Sequence, residues 1–493
     1  MYISKMKLHN FKSFEGDHEL NFKSGINFFV GDNNSGKTTI FKAIEFIQGG
    51  KIKSDWITKG KKDEEVSVEI LFSGNDIEQL VEQDSLKKYA DFVFEENGIK
   101  NLRILRDSKK HVWISKNGNK NTPKTTKQKN VLVWHPTEKE WQNPTGIDST
   151  ISALFDAQFV YSDLKNEEYQ DFGKAKIVGK LINAVTADFQ QSSVYKELRV
   201  AHETAFGDQG LTAILKDTQD KIEEIISEQY GKTGVKFNFG LPELDNFFKT
   251  GQILLSDNGI ETDASEKGTG MQRVLALALI QLYADVIKSD ATNDKPIFFF
   301  IDEPETFLHP KAQDKLINSL KKISNFSQIF ITTHSPYLLK HFEESVNQIN
   351  VFSRERDRIS NNKDLNLFPS FSPTWGEINY VAFDVVSIEF HNELYGYLEN
   401  HFKKNREDVD FITWKNSQQP TPKVNFETWL NYKGFSNDVD YFDDRKENGD
   451  TPKKSLPTFV RHIIHHPENN KNYYTLQQLS DSISKMIELV KKI

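Results

Sequence analysis

Nine residues constrain this chain more than any others: Gly31-Asp-Asn-Asn-Ser-Gly36-Lys37-Thr38-Thr39. They fit the pattern G-x-x-x-x-G-K-[ST]. An apolar run, Ile26-Asn-Phe-Phe-Val30, leads into them, and apolar residues at Ile40, Ala43, Ile44 and Ile47 follow at helical spacing. The segment therefore reads as strand, glycine-bounded loop and helix, the setting in which this pattern binds phosphate. Glycines let the backbone wrap closely round phosphate oxygens, and the helix N-terminus adds a positive field. Asn33, Asn34, Ser35, Gly36, Lys37, Thr38 and Thr39 are the expected cradle. Lys37 would reach the β- and γ-phosphates and Thr38 would ligate Mg²⁺.

Three further segments belong with this loop. Ile297-Phe-Phe-Phe-Ile301 is a continuous apolar run, as a strand buried on both faces requires, and it ends in Asp302-Glu303-Pro304. Two acids at such a strand end have separate expected tasks: Asp302 in the Mg²⁺ shell, Glu303 as general base toward the attacking water. About 30 residues on, the length of a helix and return loop, Ile329-Phe-Ile-Thr-Thr333 ends in His334. That end is expected at the same sheet edge, which makes His334 the expected γ-phosphate sensor. Between loop and acids, Lys267-Gly268-Thr269-Gly270-Met271-Gln272-Arg273 precedes an apolar helix, so Gly268, Gly270 and Gln272 are candidates for a second phosphate contact.

These four elements in this order resemble the ABC ATPase superfamily, and within it the OLD and RecF-like defence and repair ATPases. Leu8-His-Asn-Phe11-Lys12-Ser13-Phe14 looks like their first strand. Asp302-Glu-Pro-Glu-Thr-Phe-Leu-His309-Pro310 and Thr333-His-Ser-Pro336 look like their Walker B extension and switch. The resemblance covers roughly residues 1–105 and 260–357. It implies ATP and Mg²⁺ as cofactors and a homodimer with ATP sandwiched between two heads, higher oligomers being left open. The signature lacks the usual Leu-Ser-Gly-Gly, with Ser265 lying upstream, and Gln158 is the candidate for the Q-loop. The expected fold is α/β: an ABC-type ATPase head of mixed and parallel sheet with flanking helices, a short helical insertion, and a mainly α C-terminal domain. The expected domains are 1–107 and 260–360 for the two halves of the head, 108–259 for the insertion and 370–493 for the C-terminal domain.

Composition narrows the partners. Net charge is -8, so contact with RNA or DNA needs a local basic patch. Residues 108–130, rich in Lys, Asn and Thr, read as an exposed hairpin or loop, solvated or touching nucleic acid. Cysteine is absent, which removes disulfides, zinc ribbons and thiol catalysis. No apolar run approaches the roughly 20 residues that span a bilayer, and the N-terminus is unlike a signal peptide, so a cytoplasmic protein without a membrane partner is expected. Residues 174–232 look mostly helical. Two antiparallel halves of about 30 residues would reach roughly 45 Å, too short for the long arm of a chromosome-organising ATPase.

The C-terminal third leaves two readings open. Asp438-Val-Asp440, with Asp443 and Asp444, sits in a polar stretch and reads as a solvated loop rather than a two-metal site. Leu456-Pro-Thr-Phe-Val-Arg461-His462-Ile-Ile-His465-His466-Pro467 resembles the R-φ-x3-H motif of HEPN ribonucleases, with Arg461, His462 and His466 as candidates. A histidine can exchange protons near neutral pH, and an arginine can stabilise charge on a phosphorane-like transition state. The alternative is a helical assembly domain in which Arg461 pairs with an acid and the histidines cap a helix that Pro467 ends. Flanking it, residues 378–402 read as one long helix carrying Glu389, His391 and Glu393, and residues 475–493 as a terminal amphipathic helix. Three functions follow from the resemblance: an antiphage ATPase gating an RNase of its own, a sensor and scaffold for a separately encoded nuclease as in PARIS-like or Septu-like pairs, and a RecF-like repair ATPase.

Overall fold

A computed structural model describes the 493-residue chain apart from 50–55, 59, 62–63, 118–119, 126–130, 162–177, 180, 183–185, 187–188, 190, 232, 242–250, 258, 290–294, 341, 354–358, 362–364 and 444–450. The apolar runs that end in polar motifs lie in one six-stranded sheet. Its order is Asp156–Val160, Ile297–Asp302, Gln328–Thr332, Ile26–Gly31, Gln348–Phe352, Ile359–Asn361. The central pairings are parallel, and Ile359–Asn361 closes the edge antiparallel. Every residue of Ile297–Asp302 and of Gln328–Thr332 is buried, which is why these strands read as unbroken apolar runs. The phenylalanines interlock: Phe300 stacks on Phe330 at 4.7 Å between centroids and meets Phe41 of the helix Thr39–Gly49 edge-on at 5.4 Å.

A second, antiparallel sheet runs Glu140–Gln142, Leu132–His135, Ile99–Asp107, Ser67–Ser73, Tyr2–Phe11, Phe14–Asn21, with Phe94–Glu96 also beside Ile99–Asp107. Together with flanking helices these two sheets form the expected α/β head.

The chain divides into two compact units. One holds Met1–Phe159, Phe298–Glu305 and His309–Ile493. The other holds Val160–Ile297 and Thr306–Leu308. The basic stretch forms the hairpin Val112–Asn117 with Lys120–Thr125 in the first unit. The second unit carries the helices Ser193–Phe206, Leu211–Ile214 and Lys216–Tyr230, the hairpin Leu254–Asp257 with Ile260–Asp263, and the signature helix Thr269–Ser289.

The C-terminal region is mainly helical, and two sequence expectations are corrected there. Residues 378–402 are not one helix. Trp375–Phe383 ends at Asp384, which takes a left-handed φ of 54°, and Ile388–Lys404 starts afresh with the Ser387 side chain accepting from Phe390 N. Asp438 and Asp440 are not in a loop: they lie exposed on the strand Asn437–Asp440, antiparallel to Lys453–Ser455, while Asp444 falls outside the described residues. Helices Ile388–Lys404, Leu456–His465 and Leu476–Val490 pack round a core of Phe390, Leu394, Trp429, Phe459, Ile483 and Met486 among others. Among the described residues no helix is long and apolar enough to cross a membrane.

Candidate nucleotide site

The phosphate loop leaves the sheet through two glycines that nothing larger could replace. Gly31 has φ 117° and a Cβ there would lie 2.0 Å from the Phe352 carbonyl oxygen. Gly36 has φ 99° and a Cβ would meet Ser13 Oγ at 2.5 Å. Asn33 and Asn34 stand exposed at the loop's tip, Asn34 with a left-handed φ of 61°, and Ser35 Oγ donates to the Asp32 carbonyl at 2.8 Å. Lys37 turns back over the loop, donating Nζ to the carbonyls of Gly31 at 3.0 Å and Asp32 at 2.7 Å. Burial pulls the Lys37 ammonium below the usual lysine range, while Glu303, Asp302, Asp32 and Glu305 pull the other way. The hydrogen bonds of this ammonium thus run to two backbone carbonyls, with four carboxylates close enough to act on its charge. Thr39 is buried under the loop, its hydroxyl 3.3 Å from Ser13 Oγ.

Thr38 and Asp302 are 264 residues apart, yet Thr38 Oγ1 donates to Asp302 Oδ1 at 2.9 Å. Thr332 Oγ1 donates to the same oxygen at 2.5 Å. Beside them His334 Nε2 stands 3.5 Å from Glu303 Oε1, both side chains about one-third exposed. Burial lowers the His334 pKa, and Lys37 lowers it further, so the ring is neutral at physiological pH. The structure thus brings Lys37, Thr38, Asp302, Glu303 and His334 together at one sheet edge. Hydroxyl and carboxylate oxygens at Thr38 and Asp302 are the donor set a hard cation such as Mg²⁺ takes.

In the second unit, Gly268 and Gly270 open the signature helix. A Cβ on Gly270 would sit 3.0 Å from the Phe307 carbonyl oxygen, so a larger residue would crowd that backbone. Gln272 is buried, and its Nε2 donates to the carbonyls of Ser265 at 2.8 Å and Lys267 at 2.5 Å, which ties down the loop ahead of the helix. Ser265 Oγ donates to Asp263 Oδ1 at 2.6 Å. In the first unit, Gln158 is buried on the edge strand and donates to Asp156 Oδ2 at 2.6 Å.

Of the three C-terminal candidates, His462 and His466 meet edge-on at 6.4 Å between ring centroids, and each of the three has a further partner. Arg461 Nη1 donates to Asn392 Oδ1 at 2.5 Å and its guanidinium lies over the Tyr395 ring at 5.3 Å, so its partner is an amide and not the expected acid. His462 meets the Tyr441 ring edge-on at 5.1 Å. His466 ends the helix before Pro467 and pairs with Glu468 at 3.0 Å. Among the described residues no group of three or more His, Asp or Glu is placed to hold a metal ion.

Sequence reasoning missed three neighbours of the nucleotide site. Ser13 lies against Gly36 and Thr39, Thr332 shares Asp302, and Glu305 accepts from the switch segment. All three stand inside motifs quoted above, but nothing in the motifs says which way they face.

Residues 1–339 match the family described as AAA ATPase domain. The chain is similar to the Old nuclease of Escherichia phage P2, 28% identical over 335 residues that cover 64% of this chain and 54% of that protein. It therefore spans about half the length of that relative. It is also similar to the DNA replication and repair protein RecF of Pediococcus pentosaceus, 24% identical over 410 residues, covering 74% of this chain and 100% of that one. Among solved structures, an Smc head bound to the C-winged helix domain of ScpA aligns over 73% of this chain and 98% of that chain, at 17% identity and a TM-score of 0.44.

Proposed function

The chain belongs to the AAA ATPase domain family, an ABC-type ATPase of the OLD, SMC and RecF class, and from that premise we propose a nucleotide-gated switch that controls a nuclease in antiphage defence. The nucleotide half of this reading is carried by the junction of Thr38, Asp302, Glu303 and His334 at one sheet edge, and the nuclease half by the similarity to the Old nuclease of Escherichia phage P2. Thr38 and Asp302 would hold Mg²⁺, which supplies charge neutralisation of the phosphates when bound. Glu303 takes a proton from water as its oxygen bonds to the γ-phosphorus, and the bond to the bridging oxygen breaks to leave ADP and phosphate. His334, neutral and beside Glu303, hydrogen-bonds the γ-phosphate and reports its loss to the switch segment. Gly268 and Gly270 complete the site of a partner head, which makes the working unit a homodimer.

The C-terminal helices serve this reading best as a dock for a separately encoded nuclease. Support comes from Arg461, His462 and His466, whose contacts with Asn392, Tyr441 and Glu468 suit a structural role. A RecF-like repair role is the second reading, favoured by a match that spans the whole of that relative. The experiment is light scattering of the Glu303→Gln chain with ATP and Mg²⁺. A mass twice that of the monomer, reverting with ADP, is expected, and a monomer under both nucleotides overturns the sandwiched dimer. Duplex DNA that raises ATP turnover would shift the balance to repair.

A further inference from the structure

The sheet's ladder runs out next to the nucleotide site. Thr333 N still donates to the Phe29 carbonyl of the phosphate-loop strand, at 3.0 Å. The next amide, His334 N, has left the sheet, and a part-buried amide there needs another acceptor. Glu305 supplies it: Oε1 accepts from His334 N at 2.8 Å and from Thr333 Oγ1 at 2.7 Å. Ser335 N then turns back onto Thr333 Oγ1 at 2.9 Å, so the hydroxyl that meets Glu305 also shapes the following residue.

The other end of the tie is equally fixed. Glu303 holds a left-handed φ of 45°, a conformation disfavoured for a residue with a Cβ. Its amide donates to both the carbonyl and the hydroxyl of Thr332, each at 3.0 Å. Pro304 follows with a fixed φ, and Glu305 comes next. Two stitches thus join the acid turn to the switch strand, one through the Glu303 amide and one through the Glu305 side chain. His334 and Glu303 hang from the same two stitches.

We propose that Glu305 is a positioning residue: by binding Thr333 and the His334 amide it fixes the switch segment to the acid turn and so sets where His334 stands against Glu303. This rests on Glu303 and His334 acting on ATP as read above. Glu305 works through Oε1 alone, since Oε2 is buried without a hydrogen-bond partner. Burial raises the Glu305 pKa and the Glu303 charge adds to the rise, while the hydrogen bonds from Thr333 and the His334 amide oppose it. An amide keeps the Oε1 acceptor, and a methyl group does not.

The test measures ATP turnover, nucleotide affinity and melting temperature for the full chain as wild type, Glu305→Ala, Glu305→Gln, Thr333→Val and Glu303→Gln. Glu305→Ala is expected to lower kcat by about tenfold or more, since a misplaced reacting group costs rate rather than binding, with affinity held within about threefold. Glu305→Gln is expected to restore kcat to within about threefold of wild type, because the acceptor returns. Thr333→Val, which keeps the His334 amide bond, should fall between them. Wild-type kcat in both Glu305→Ala and Thr333→Val, with Glu303→Gln inactive, overturns the proposal and leaves Glu303 as the base. Turnover retained in Glu303→Gln defeats the underlying reading instead. Parallel loss of kcat, affinity and melting temperature in Glu305→Ala, unrescued by Gln, also overturns it, because that marks a purely structural role.

Discussion

The head and the C-terminal helices both bury carboxylates, but they use them differently. In the head, buried polar atoms converge from distant segments on one spot. Thr38 meets Asp302, Thr333 and His334 meet Glu305, Glu303 is held at a strained φ, and Lys37 donates to the carbonyls of Gly31 and Asp32. In the helical region the buried Glu377 and the half-buried Glu393 and Glu427 are spent on local architecture. Glu377 closes the capping box of Trp375–Phe383 and accepts from Leu367 N at 2.8 Å and Ser372 Oγ at 2.7 Å. Glu393 accepts from Thr374 Oγ1 at 2.5 Å and Gly376 N at 3.2 Å, and Glu427 from Ser455 and Thr458. Polar groups brought together from distant segments suit a ligand to be bound, and local hydrogen-bond networks hold shape. On our proposal the head is the working site and the helices are a scaffold.

Lys37→Ala should produce the largest effect, abolishing ATP binding in an equilibrium titration; retained affinity would remove the phosphate loop from the account. Next, Glu377→Ala should destabilise the fold by about 1–3 kcal/mol, since it strands part-buried donors at Leu367 and Ser372, while ATP affinity stays unchanged. Lost affinity at unchanged stability would break the contrast between the two regions.

A pH experiment sharpens it further. His391 is fully buried against Ser482 Oγ at 3.0 Å, and burial, aided by Arg461, pushes its pKa from 6.5 down to about 3. The folded state keeps it neutral, so its contribution to stability is present above pH 6.5 and is lost as pH falls toward about 3. His391→Leu should flatten that acid limb in a melting series, and an unchanged limb would mean that His391 does not govern it. Smallest of all, Arg461→Ala should cost about 1 kcal/mol, the worth of one hydrogen bond to an amide, and leave turnover alone.

How far the sequence could be read differs in the same way between the regions. A buried parallel strand must be apolar along its length, and a phosphate loop must carry its glycines in order, so the strands round Gly31, Asp302 and His334 were visible in one dimension. Glu305 was printed in the motif too, but its task was hidden: the need for it arises only where the ladder ends, 29 residues on at His334. The break at Asp384 was hidden because apolar residues continue through Val385 and Val386 at spacings a helix tolerates. The partner of Arg461 was missed because charge complementarity suggests an acid, whereas packing delivered Asn392 from 69 residues away.

The most direct measurement is ATP hydrolysis by the whole chain at saturating ATP and Mg²⁺, comparing Glu303→Gln with the double variant Arg461→Ala, His466→Ala. Glu303→Gln is expected to lose about 100-fold or more of its turnover while still binding ATP, and the double variant to keep the wild-type rate. Wild-type turnover in Glu303→Gln, or its loss in the double variant with the fold intact, would contradict the division of labour between head and helices.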